Sequence, residues 1–84
     1  MSKWSKLYQQ LLVSRSRSVS FRDFEALLRA FGFVHERTTG SHRHFTHPRI
    51  AWTFTIQPRG KDAVRYQVKR LLELVREYDL HMQL

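Results

Sequence analysis

The segment Gly40-Ser41-His42-Arg43-His44-Phe45-Thr46-His47-Pro48 carries three of the chain's five histidines beside an arginine. An imidazole, with an unperturbed pKa of roughly 6.5, can give or take a proton near neutral pH. Placed among cations, such a ring suits acid–base work on an anionic substrate, the guanidinium holding a phosphate while the ring moves a proton. His42 follows the Gly40-Ser41 turn signal and stands at the start of a strand-like run. It is the leading candidate, and Gly40 lets a backbone come close to a ligand there.

Other chemistries fit less well. The chain has no cysteine, which removes disulfides, thiolate zinc sites and cysteine nucleophiles together. Ser41 and His42 are adjacent, so on a strand they point to opposite faces. With no glycine elbow or acidic orienter, a hydrolase triad is rejected. His42 and His44, at i and i+2, could face one ion, but no third ligand has a fitting spacing. No metal and no cofactor are expected. Three glycines in the whole chain leave no phosphate-cradling loop. The bland alternative treats His42 and His44 as polar residues on an open sheet face, and composition alone favours it.

The elements that must position the histidines follow from hydrophobic spacing. Trp4, Leu7, Tyr8, Leu11 and Leu12 mark a one-sided helix over residues 3–13. The run Ser14-Arg15-Ser16-Arg17-Ser18 is a polar, basic connector. Ser20 caps a second helix, with Asp23 in its first turn and Val19 and Phe24 placed as a hydrophobic staple. Its buried stripe is Phe21, Phe24, Leu27, Leu28 and Phe31, and Gly32 ends it in a left-handed conformation.

From Phe33 the period becomes two. A strand runs to Thr38, Thr39-Gly40 turns, and a second strand returns through His42 to His47. On that strand His42, His44 and Thr46 share the outward face, and Arg43, Phe45 and His47 the inward one. After Pro48-Arg49, Ile50, Trp52, Phe54 and Ile56 alternate as a third strand, with Trp52 and Phe54 expected beside Phe45 beneath the helices. A last helix is expected from about Asp62 to about Tyr78, with Val64, Val68, Leu71, Leu72 and Val75 inward. Lys61, Arg65, Lys69 and Arg76 form a cationic row beside that stripe.

Fifteen Lys and Arg against seven Asp and Glu give a formal charge of +8. Such an excess on 84 residues attracts polyanions, chiefly nucleic acid. Three strands separate the helices, which argues against a helix-turn-helix DNA reader and for shape-reading of A-form RNA. No apolar run approaches the roughly 18–20 residues that cross a bilayer, and Gln9 and Gln10 interrupt any signal-peptide core. A cytoplasmic protein without membrane attachment is expected.

Gly32-Phe33, Gly40-Ser41-His42, Phe45, His47-Pro48, Ile56-Gln57-Pro58 and Gly60-Lys61, followed by a closing amphipathic helix, together resemble the HicA toxin family over Val19 to Val75. The resemblance implies an α+β fold like a double-stranded-RNA-binding domain, α-β-β-β-α, with a three-stranded antiparallel sheet backed by helices. Residues 1–18 would then be an added N-terminal helix and connector, and 19–84 the HicA-like domain. It also implies the toxin of a type II toxin–antitoxin pair, a ribosome-independent, metal-independent mRNA interferase that arrests growth.

The histidine of the family's Gly-Ser-His motif carries over to His42 as catalytic. Around it, Gly40, Ser41, Arg43, His44, Arg59, Lys61, Arg65 and Lys69 are the supporting or RNA-binding candidates. The implied partners are mRNA and a HicB-type antitoxin that masks the site, in a homo-oligomer or a toxin–antitoxin hetero-oligomer. Three features depart from the family: the helix before Val19, His at position 44 where an aliphatic residue is frequent, and an ending without the frequent Gly-Leu. The competing readings are a non-catalytic RNA-binding module using the basic row and an interaction domain for an acidic protein.

Overall fold

A computed structural model describes residues 2–14 and 17–83, so Arg15 and Ser16 of the expected connector lie outside the described residues. Along the chain come α1 (Lys3–Val13), α2 (Phe21–Ala30), β1 (Val34–Thr39), β2 (His42–His47), β3 (Ile50–Ile56), β4 (Pro58–Arg59), β5 (Asp62–Ala63) and α3 (Arg65–Glu77). Strands β1-β2-β3 form an antiparallel sheet in that order, and β4-β5 a separate two-stranded ribbon. The architecture is the expected α+β arrangement, with α1 added in front.

Both ends of α2 follow from its sequence. The Ser20 hydroxyl accepts the Asp23 N–H at 3.1 Å, satisfying one orphan donor of the first turn. At the other end Gly32 takes φ +93°. Its N–H donates to the Arg29 carbonyl at 2.9 Å, and the Phe33 N–H donates to the Leu28 carbonyl at 3.0 Å. That pair of bonds is a Schellman cap, and a left-handed residue is its requirement. Phe33 is therefore buried as the cap's hydrophobic residue, and β1 begins one residue later than its period suggested.

The hairpin of β1 and β2 closes on the pair Thr39–His42, with Gly40-Ser41 as a two-residue turn. Gly40 has φ +60° at the first turn position, the place that a type II′ turn reserves for glycine. The helix-facing side of the sheet buries Phe45, Ile50, Phe54 and Ile56. Each such side chain contributes roughly 1.5–3 kcal/mol of hydrophobic stabilisation.

Trp52 departs from expectation: it is 39% exposed rather than core. The register explains this. Phe45 pairs with Phe54 and His47 with Ile50, so Thr46 alone faces Ala51, Trp52 and Thr53. The surplus residues bulge out of the ladder and re-aim the indole. It rests edge-on against Phe54, with the Arg70 guanidinium 5.5 Å from its ring centre.

The last helix also starts later than its pattern implied, at Arg65 rather than Asp62. Asp62 bridges to Ser20, the Ala63 N–H donates to the Val19 carbonyl at 2.8 Å, and the Phe21 N–H donates to the Lys61 carbonyl at 2.8 Å. Ribbon pairing with the approach to α2 thus overrides the local helical signal of Asp62 to Val64. Of the expected inward residues, Val68, Leu71, Leu72 and Val75 are buried, joined by Leu74, whereas Val64 becomes the N-cap. At the far end Asp79 takes φ +52°, and the Leu80 N–H donates to the Val75 carbonyl at 2.9 Å. Leu80, just after this left-handed residue, is buried.

Helix α1 buries Leu7 and Leu11 in the same core as α2, α3 and the sheet, and the Tyr8 ring meets Phe31 edge-on at 5.0 Å. Among the described residues, no helix is long and apolar enough to cross a membrane.

Candidate functional site

His42 is the first residue of β2, exposed, and paired across the hairpin with Thr39. The next residue, Arg43, points the other way. One of its nitrogens, Nη1, donates to both carboxylate oxygens of Glu25, at 2.8 and 2.7 Å, and its guanidinium lies 5.2 Å from the Phe21 ring centre. Glu25 is 6% exposed, a burial that a carboxylate tolerates only when paired. The start of β2 is thereby fastened to the beginning of α2.

Three further contacts bring other elements to the same end of the molecule. Arg43 pairs with Ile56 on β3, and the chain then passes through Gln57, whose N–H donates to the Gln67 side-chain oxygen of α3 at 3.1 Å. It continues into β4 and the Gly60-Lys61 turn, and Lys61 accepts the first N–H of α2. Through Arg43, which lies beside Phe21, the start of β2 adjoins the first turn of α2, and that turn adjoins Lys61 of the β4–β5 turn. His42 is on the other face of the strand. Arg59, Lys61 and Arg65 are exposed.

Arg59 and Arg65, with Arg17, border a concavity of about 510 Å³ that also includes Asp62 and Tyr66. Lys69 and Arg76 border a different groove of about 810 Å³, between α1, α3 and the C-terminal segment. Of the expected row, Arg65 borders one of these concavities and Lys69 and Arg76 the other, while Lys61 stands in the β4–β5 turn, off the helix, and lines neither. Among the described residues, Arg17, Arg59, Lys61, Arg65 and Lys69 take part in no ion pair, whereas Arg43 and Arg70 do.

The comparison with known families adds a decisive observation. The family model described as the HicA toxin of bacterial toxin–antitoxin matches residues 21–75, well over half of the chain. The chain belongs to the HicA toxin family. No curated protein matches it, and no solved structure does. The matched span runs from the first residue of α2 into the last turn of α3, so α1 lies outside the HicA match while sharing its core.

Within the HicA core the remaining histidines have separate places. The Nε2 atom of His47 donates to the Phe31 carbonyl at 2.9 Å, and its Nδ1 accepts the Arg49 N–H at 3.1 Å. These bonds fix one neutral tautomer and leave no free ring nitrogen. A Cβ at Gly32 would lie 3.1 Å from His47 Nε2, so the Gly-Phe and His-Pro motifs meet at the end of α2. His44 places Nδ1 2.9 Å from the Thr55 hydroxyl, while Nε2 is buried without a partner among the described residues. Gly40 has open space where a Cβ would stand, and Ser41 is exposed beside it.

Sequence reasoning missed Glu25 and Tyr66. Glu25 lies among Phe21, Phe24 and Leu28 on the buried stripe of α2. A carboxylate on an apolar face is a signal that a cation must come to meet it. Tyr66, 74% exposed, follows Arg65 at the start of α3, and nothing in the spacing separated it from the tyrosines that pack on the core.

Proposed function

We propose that this HicA-family toxin acts by cleaving mRNA without a ribosome or a metal ion, with His42 transferring the proton. The observation that carries this reading is the exposure of His42 at the first position of β2, one residue from the Arg43 that ties that strand end to α2, whose first N–H in turn bonds Lys61. In that setting the imidazole takes the proton of a ribose 2′-OH as that oxygen attacks phosphorus, with water protonating the departing 5′-oxygen. Alternatively, it protonates the 5′-oxygen as the P–O bond breaks, with water taking the 2′ proton. Each such role contributes about 10²–10⁴-fold.

The free cations bind the backbone phosphates and offset the charge that builds on the phosphorus-bound oxygens in the transition state. Gly40 and Ser41 keep the approach to His42 low. Arg43 holds β2 in place through Glu25, and His44 supports the same strand through Thr55. Lys69, on the separate groove beside α1, adds positive potential at a distance and touches no phosphate. The partner in the pair is a HicB-type antitoxin that covers His42, and the setting is the cytoplasm.

The second reading, a non-catalytic RNA-binding module, draws on the unpaired cations alone. Incubating the protein with a structured transcript in excess chelator separates the two. A cleaving toxin shortens the RNA and a binder only retards it, and loss of shortening in His42→Ala assigns the step to that ring.

A further inference from the structure

The concavity at the start of α3 combines features that a generic cationic surface lacks. Arg17, from the segment before α2, meets Arg59 of β4 and Arg65 of α3 around one space of about 510 Å³, within the range of small-ligand sites. Three cations brought together repel one another, and only one acid, Asp62, lines the space. It makes no ion pair with any of the three among the described residues. Positive charge is thus concentrated there without an internal partner, and guanidinium forks match phosphate oxygens in pairs.

Tyr66 lines the same space and is 74% exposed. Tyr8 and Tyr78, in contrast, pack against the core. An aromatic ring left in water beside three unpaired arginines is the pairing of groups that a nucleotide satisfies, since a base offers a face to stack on and its phosphate an anion. Val19 and Val68, both buried beneath the same space, give it an apolar floor. A base inside a duplex has both faces covered by its neighbours, so only an unpaired nucleotide can present one to Tyr66.

We propose that this concavity is a subsite for single-stranded RNA, in which an unstacked base rests on Tyr66 while Arg17, Arg59 and Arg65 hold the adjoining phosphates. It rests on the reading of RNA as substrate but makes a separate claim: the toxin selects unpaired nucleotides, through a residue outside the chemistry at His42.

The test uses the full-length chain and a fluorescent 2′-O-methyl oligonucleotide, which has no free 2′-OH to react, as a single strand and as a duplex. Anisotropy at fixed low salt is expected to give tighter binding of the single strand. Tyr66→Ala should weaken that binding by about 5–150-fold, the range for loss of one base stack. Tyr66→Phe should bind as the unaltered protein does, because the stack uses the ring and not the hydroxyl. Arg17→Gln and Arg65→Gln should each flatten the salt dependence by somewhat less than one unit of log–log slope. Equal affinity for duplex and single strand, or unaltered binding by Tyr66→Ala, overturns the subsite. Because the readout is binding to an uncleavable strand, failure of the His42 mechanism leaves these outcomes unchanged. Failure of the subsite likewise leaves cleavage by His42 standing.

Discussion

The Arg43 guanidinium donates from a single nitrogen to both oxygens of the buried Glu25 carboxylate, at 2.8 and 2.7 Å. This contact ties the residue next to His42 to the opposite layer of the fold. Removing Arg43 strands a carboxylate that is 6% exposed. Arg43→Ala is expected to cost about 1–3 kcal/mol, the range for an unsatisfied buried group. The arginine's own partial exposure screens the pair and holds the value toward the lower end. Glu25→Gln should cost less, because Arg43 then turns to water. Urea unfolding of both single variants and the double variant checks the order, and the cycle should show coupling of at least about 0.5 kcal/mol.

The two left-handed helix ends call for opposite substitutions. Gly32 combines φ +93° with close approach, since a Cβ would lie 3.0 Å from the Gln83 side chain and 3.1 Å from His47. Gly32→Ala should destabilise the protein by about 1–3 kcal/mol. Asp79, at φ +52°, carries a side chain where glycine rests without strain. Asp79→Gly should raise stability by about 0.5–1 kcal/mol. Thermal unfolding midpoints moving in opposite directions would agree with both assignments.

The histidines should separate by what their removal disturbs. His47 bonds the Phe31 carbonyl and the Arg49 N–H from a buried position, so His47→Ala should lose about 1–3 kcal/mol. His42 is exposed and makes no hydrogen bond through its ring among the described residues. His42→Ala should therefore change stability by less than about 0.5 kcal/mol. Comparing unfolding midpoints of the two variants decides the matter before any activity is measured.

Ionic strength tests the cationic end of the molecule. With Arg17, Arg59, Lys61 and Arg65 each neutralising a phosphate, log affinity for a single strand should fall with log salt at a slope of roughly −3. Lys69→Gln, on the groove beside α1, should leave that slope nearly unaltered. A slope near zero would mean that the exposed cations are only solvated.

Much of the scaffold was legible because local signals agreed with the final packing. Ser20 and Gly32 marked both ends of α2, and the period-two runs marked the three strands. What could not be read depended on partners distant in sequence. The displacement of Trp52 comes from β2–β3 register, the late start of α3 from ribbon pairing with Val19 and Ser20, and the role of Glu25 from an arginine eighteen positions away. His42 was legible as a candidate through its turn and its charged neighbours. The convergence of Arg17, Arg59 and Arg65 on Tyr66 was not, since it brings together a loop, a ribbon and a helix.

The central claim is best tested with a uniformly labelled transcript incubated with purified protein and with His42→Ala, in excess chelator and at matched RNA occupancy. Loss of at least about 10²-fold in cleavage rate, with binding and fold retained, is the predicted result. Cleavage by His42→Ala at the unaltered rate would contradict the account.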